Sequence, residues 1–234
     1  FHGFESHPLR HKKMIRKYIT RKSFLYVPYL YFKIFWLEKA WLKRKSYSQC
    51  GEDIFIKNFF QNKQKGFYVD LGAFNPIKYN NTYLLYQKGW SGINIDLNKT
   101  SIDLFNILRK KDRNILAAVS NKKTKAKIYI ENIFSPLNTI SSKFNDNISK
   151  TKFYFRNTKK FSEIVKKKID FLNIDIEGMD FKVLKSINLN FYKPELICIE
   201  IFGFNNVNKV KKYLKGKKYF YLKKIGPSYF FRPK

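Results

Sequence analysis

Histidine is almost missing from this chain of 234 residues: its three copies, His2, His7 and His11, all fall within the first dozen positions. The main body therefore has no imidazole to ligate a metal or act as a general base, so any base must be a carboxylate, a tyrosine or a lysine. Cysteine is as scarce. Cys50 and Cys198 are too few and too far apart for a disulfide scaffold or a zinc site, and a reducing compartment is the default. Long apolar runs are also lacking: the richest stretch, Phe24 to Leu37, is interrupted by Pro28 and Lys33 and falls short of the roughly 20 residues that span a bilayer. Acid is the last shortage, with 17 Asp and Glu against 48 Lys and Arg and a net charge of +31. Such a surface gathers phosphate backbones, but lysine greatly outnumbers arginine, the better phosphate fork, and alanine is scarce beside asparagine and isoleucine. That pattern is what an AT-rich coding sequence produces. A nucleic-acid partner is not expected, which leaves a solvated basic surface or an anionic membrane or glycan.

Against this background Gly66-Phe67-Tyr68-Val69-Asp70-Leu71-Gly72-Ala73-Phe74-Asn75-Pro76 stands out as a short apolar strand running into a tight turn. A helix over Asn80 to Lys88 and a second strand, Gly92-Ile93-Asn94-Ile95-Asp96, complete a βαβ unit. In a doubly wound sheet a glycine after the first strand lets a ligand approach the backbone, and an acid ending the second, roughly 20 residues on, accepts ribose hydroxyls. Gly72 and Asp96 fit those roles. Phe74 and Pro76 occupy the later glycine positions of a dinucleotide site, so no pyrophosphate is expected. S-adenosylmethionine has a ribose and no phosphate, and Asp70 suits its amino group. The bland reading is a structural βαβ unit with ordinary turn residues.

The 44% hydrophobic content supports one substantial core with an N-terminal appendage. Residues 1–13 begin without methionine and show no periodicity, as expected of a fragment, a vector scar or an extended reading frame. Residues 14–45 are basic and aromatic. They suit a helix at a membrane interface, making peripheral contact at the inner face of a cytoplasmic enzyme, or a helix packed on the domain. The remainder, 46–234, is the expected main domain. Ser46 to Asp53 is a polar lead-in to a helix over Ile54 to Asn62; its acids either cap that helix or bring Gln49 and Glu52 over the pocket mouth. Further on, a helix is expected over Thr100 to Lys111, strands over Asn114 to Ser120, Ala126 to Ile130 and Phe153 to Arg156, and a short helix over Ser162 to Lys167. Phe134 to Asp146 reads as a polar loop.

A second signal is Ile169-Asp170-Phe171-Leu172-Asn173-Ile174-Asp175-Ile176-Glu177-Gly178, an apolar strand ending in acid, apolar, acid, glycine before a helix over Met179 to Ser186. The strand Glu195 to Glu200 ends at the same edge, a helix follows over Val207 to Leu214, and Tyr219 to Leu222 with Ser228 to Phe231 form a hairpin around Gly226-Pro227. Seven of the 17 acids (Glu52, Asp53, Asp70, Asp96, Asp175, Glu177 and Glu200) gather at strand ends or in the lead-in, which suits a cationic ligand.

These segments, with Tyr47-Ser48-Gln49-Cys50-Gly51-Glu52-Asp53, Gly89 to Asp96 and Leu137-Asn138-Thr139-Ile140-Ser141, resemble the FkbM family of S-adenosylmethionine-dependent methyltransferases, in the family's order from about Tyr47 to the C-terminus. The resemblance implies a Rossmann-like class I α/β fold, a mostly parallel doubly wound sheet with a C-terminal antiparallel hairpin. It also implies O-methylation of a hydroxyl on a sugar, polysaccharide or secondary metabolite. Cofactor contacts are expected from Gln49, Glu52, Asp70, Gly72, Ala73 and Asp96. Asp175 is the expected base with Glu177 in support, since two neighbouring carboxylates raise one pKa. They alternatively hold Mg²⁺, a version not favoured, or Glu177 caps the helix while Asp175 orients the cofactor. The rival functions are an inactive methyltransferase fold that binds RNA or an anionic membrane, and an RNA methyltransferase, for which no Asn-Pro-Pro-Tyr or paired-cysteine signature is present.

Overall fold

The computed structural model describes residues 20–130, 152–176 and 178–234, and the chain divides into two compact units between Lys43 and Arg44. In the first unit, α1 (Tyr26–Phe32) continues into a π-helical turn, Lys33–Leu37, and then α2 (Lys39–Leu42). Pro28 lies in the first turn of α1, where its missing N–H has no helical partner to lose. Lys33, which interrupts the apolar run, is buried and ion-paired with Glu38. Tyr26, Tyr29, Leu30 and Ile34 are buried as well, whereas Phe24, Val27, Phe35 and Trp36 are exposed.

The strands of the second unit are, in chain order, β1 (Phe67–Leu71), β2 (Ser91–Asp96), β3 (Arg113–Leu116), β4 (Ala118–Val119), β5 (Lys125–Ile130), β6 (Lys152–Lys159), β7 (Phe171–Ile174), β8 (Leu196–Glu200), β9 (Tyr219–Ile225) and β10 (Ser228–Pro233). Seven of them form one sheet in the order β3-β2-β1-β7-β8-β10-β9. The first five are parallel, and β10 runs antiparallel to both β8 and β9. This is the doubly wound class I architecture with its closing hairpin. A small sheet, β4-β6-β5, is set aside from it.

Alternation along the strands builds two cores, because a sheet covered on both faces buries every position. Val69, Leu71, Ile93, Ile95, Leu172, Ile174, Ile197 and Ile199 share one core with Val183 and Leu184 of α7 (Asp180–Ser186) and Val207, Val210 and Leu214 of α9 (Phe204–Gly216). On the other face, Tyr68, Phe171, Leu196, Cys198 and Phe230 meet Ile56 of α3 (Glu52–Phe59), Leu85 of α4 (Tyr83–Gln87) and Trp90.

Some elements differ from expectation. The third strand stops at Leu116, where the Ala117 N–H turns back to the Asp96 carbonyl at 3.0 Å, and Ala118–Val119 pairs with β6 instead. The helix expected from Asn80 starts only at Tyr83, because the Asn80 side chain accepts the Thr82 N–H at 2.9 Å and holds a turn. The helix expected over Ser162 to Lys167 is one turn, α6 (Phe161–Ile164), and α8 (Leu189–Tyr192) was not foreseen. The Phe134 to Asp146 loop with its Leu137 to Ser141 motif, residues 1–19 and Glu177 lie outside the described residues.

Candidate functional site

Strand register assembles the site. Leu71 pairs with Ile95 on one side and Ile174 on the other, and Ile174 pairs with Ile199. The residues that follow them, Gly72, Asp96, Asp175 and Glu200, therefore leave the sheet at one level on its carboxyl edge, where doubly wound sheets bind ligands.

Gly72 turns at φ +80°, and a Cβ there would lie 1.6 Å from the Asp175 carbonyl oxygen. The space expected to admit a ligand is thus filled by the backbone of β7's exit loop, and Gly72 fixes the position of Asp175. The turn leaves no amide for a phosphate. Gly72 and Ala73 donate to the Ile95 carbonyl, Phe74 to Asp96 Oδ2, Asn75 to the Ala73 carbonyl, and Ile77 and Lys78 to Asn75 Oδ1, while Pro76 has no N–H. Phe74 itself adopts φ +52°, a conformation that costs an L-residue about 1–2 kcal/mol.

Asp96 holds two segments together. Its Oδ2 accepts the Phe74 N–H at 2.8 Å and its Oδ1 the Asn98 N–H at 2.6 Å, which ties the β1 turn to the start of α5 (Lys99–Leu108). Burial raises its pKa to about 6, against those amide bonds and with help from the nearby charge of Asp70. The Leu97 amide also bonds the carboxylate, which leaves acceptor capacity for a further donor.

Asp70 requires a correction. Its carboxylate is buried and taken by protein donors, Asn173 Nδ2 at 2.8 Å, Thr82 Oγ1 at 3.0 Å and Asn80 Nδ2 at 3.4 Å, so it orders the floor of the site and does not face a ligand. Burial raises its pKa, opposed by those bonds and by Arg109. Arg109, which sequence reasoning missed, is fully buried and spreads its five donors over the Pro76 carbonyl, Asn80 Oδ1, Thr82 Oγ1 and the Tyr68 hydroxyl. It clamps the whole 76–82 loop against the sheet. Ala73 is buried, with its carbonyl accepting from Asn80 Nδ2 at 3.2 Å.

The lead-in segment divides by role. Asp53 is fully buried and accepts from Ser46, Ser48 and the Tyr47 and Ile54 amides, which is structural capping. Gln49 is exposed. Glu52 is buried, accepts the Cys50 N–H at 2.7 Å, and is close enough to Glu200 for its charge to raise that group's pKa. Asp175 and Glu200 are neighbours at the sheet edge; burial raises the Glu200 pKa and the interaction with Asp175 opposes the rise. Asp180, also missed, accepts the Ile176 and Gly178 amides at 2.8 and 3.0 Å and so shapes the turn beyond Asp175; burial pushes its pKa up to about 6. An acid at the start of a helix reads as an ordinary cap, which is why it drew no notice. Among the described residues, no three histidine, cysteine, aspartate or glutamate side chains converge as metal ligands.

Residues 70–221 match the methyltransferase FkbM domain. No curated protein matches the chain significantly. Among solved structures, a TehB-like SAM-dependent methyltransferase from Corynebacterium glutamicum is 12% identical with a TM-score of 0.50, covering 87% of this chain and 97% of that one. The 1,6-didemethyltoxoflavin-N1-methyltransferase of Burkholderia thailandensis, solved with 1,6-didemethyltoxoflavin and S-adenosylhomocysteine, is 9% identical with a TM-score of 0.41, covering 99% of this chain and 91% of that one. At such identities the first likeness is one of fold.

Proposed function

Because the chain belongs to the FkbM methyltransferase domain family, we propose that it is an S-adenosylmethionine-dependent O-methyltransferase acting on a hydroxyl of a sugar, polysaccharide or secondary metabolite. The observation that carries this reading is the level row of Gly72, Asp96, Asp175 and Glu200 beside a turn with no spare amide. Such a site suits a nucleoside that is cationic and free of phosphate. When bound, S-adenosylmethionine supplies a methyl group carried on positive sulfur.

The chain's own residues would do the rest. Asp96, with acceptor capacity left beyond its bonds to the Phe74, Leu97 and Asn98 amides, would accept from the ribose. Glu52, buried in the lead-in, and Gln49, exposed there, would complete the contacts to the cofactor. Asp175 would take the acceptor's hydroxyl proton, with Glu177 in support as the sequence suggests and Glu200 beside it at the sheet edge. Proton transfer of this kind is worth about 10²- to 10⁴-fold. Orienting the hydroxyl oxygen supplies most of the remaining acceleration.

Calorimetric titration with S-adenosylhomocysteine, followed by transfer of labelled methyl groups into a fractionated cell extract, tests the proposal. Wild type should bind and label carbohydrate or a small metabolite, Asp96→Ala should lose binding, and Asp175→Asn should bind normally yet turn over about 10²- to 10⁴-fold more slowly. Label in RNA, unchanged affinity in Asp96→Ala, or wild-type turnover in Asp175→Asn would overturn it.

A further inference from the structure

Two hollows open beside the carboxyl edge of β8. The first, of about 740 Å³, is floored by Asp180 and Glu200 and walled by Phe181, Phe202, Lys182 and Lys185. The second, of about 720 Å³, lies between the start of α9 and the β9–β10 hairpin and is walled by Phe204, Tyr221, Lys211 and Lys224. Ile201 and Phe202 line both, so the two meet along that segment. Either alone would take a drug-sized ligand, and together they exceed what one sugar ring or a compact metabolite fills.

Chemistry narrows the occupant. Phe204 is 78% exposed, an aromatic surface of the kind on which the C–H faces of sugar rings pack. Four lysines line the hollows. Among the described residues of the lining the acids are Asp180, bonded to the Ile176 and Gly178 amides, and Glu200, beside Asp175, so lysines outnumber acids there. A single-stranded nucleic acid fits less well, since among the described residues no arginine lines either hollow and the Tyr221 ring is already covered by Lys211 Nζ at 3.9 Å. A bilayer is excluded from a concave surface.

We propose that these hollows form one acceptor groove for an acidic oligosaccharide, an inference that rests on the methyl-transfer reading above. Its carboxylate or phosphate groups lie on Lys211 and Lys224, a ring face on Phe204, and its reacting hydroxyl at the end where Glu200 lies beside Asp175.

The test uses the full chain saturated with S-adenosylhomocysteine and titrated with tetragalacturonic acid, with maltotetraose, tetraglutamate and oligouridylate as comparisons. The acidic tetrasaccharide should bind about tenfold or more tightly than maltotetraose. Phe204→Ala, a change at an exposed position, should weaken both sugars about tenfold. The double variant Lys211→Ala, Lys224→Ala should weaken only the acidic one. Equal binding of tetraglutamate or oligouridylate, or wild-type affinity in these variants, would overturn the groove. Because the same samples report S-adenosylhomocysteine binding first, loss of that signal would instead count against the methyltransferase reading itself.

Discussion

Asp96 responds to pH in two ways of opposite sign. Its pKa in the folded protein, about 6, lies above the ordinary carboxylate value because it is buried, so the native state holds a proton that the unfolded chain gives up. On this group alone, stability is highest below about pH 4 and falls as the pH rises toward 6. On the proposed assignment ligand binding would run the other way, since the carboxylate is the better acceptor for ribose hydroxyls. Affinity for S-adenosylhomocysteine should therefore drop about tenfold between pH 7.5 and pH 5, and Asp96→Asn should bind weakly with a flat profile. A wild-type affinity that stays constant over that range in calorimetry would sink the assignment. The place of Asp96 at the end of β2, level with Gly72, was legible in the sequence, whereas its bonds to the Phe74 and Asn98 amides were not. Asp70 was misread. Its partners Asn173 and Thr82 come from other elements, and nothing in the local pattern shows that a mid-strand carboxylate has already been neutralised.

The loop from Asn75 to Thr82 is the element on which the site most depends, and it has almost no regular structure of its own. Asn75 and Asn80 fold it locally, and Arg109 at the end of α5 anchors it from outside through bonds as short as 2.6 Å. Lysine has three donors on a flexible stem where arginine has five in a planar fork, so it cannot replace this pattern. Arg109→Lys should cost about 3 kcal/mol or more in chemical denaturation, as buried charge networks do when one partner is lost, and should weaken S-adenosylhomocysteine in parallel. A loss under about 1 kcal/mol would show that the clamp is dispensable. The strands β1, β2, β7 and β8 were readable because their alternation and terminal acids carry the signal within each segment. The break after β3 was not, since it is decided by a pairing partner distant in sequence, and the start of α4 and α8 turn on local side-chain bonds, Asn80 with the Thr82 amide and Asn188 with the Phe191 amide, that the apolar pattern does not show. Arg109 left one faint trace: in a chain so rich in lysine, an arginine marks a place where the fork itself is needed.

At the scale of the molecule, apolar groups and charge are unevenly spread. Phe24, Leu25, Val27, Tyr31, Phe32, Phe35 and Trp36 are exposed within one short segment that also carries Arg21, Lys22, Lys39 and Lys43. Among the described residues, no helix is long and apolar enough to cross a membrane. That segment suits the interface of an anionic bilayer. Vesicles containing phosphatidylglycerol should shift the tryptophan emission to the blue in wild type, and Trp36→Ser with Phe24→Ser should abolish the shift; the same shift in the double variant would refute the contact. The carboxylates at the sheet edge have a further consequence. A donor that enters as a cation leaves, once its methyl group is gone, with one positive charge fewer. On the proposed reading Glu52, Asp96 and the Asp175–Glu200 pair would therefore hold the spent nucleoside less firmly than the fresh one, and the charge arrangement that loads the enzyme would also clear it for the next turnover.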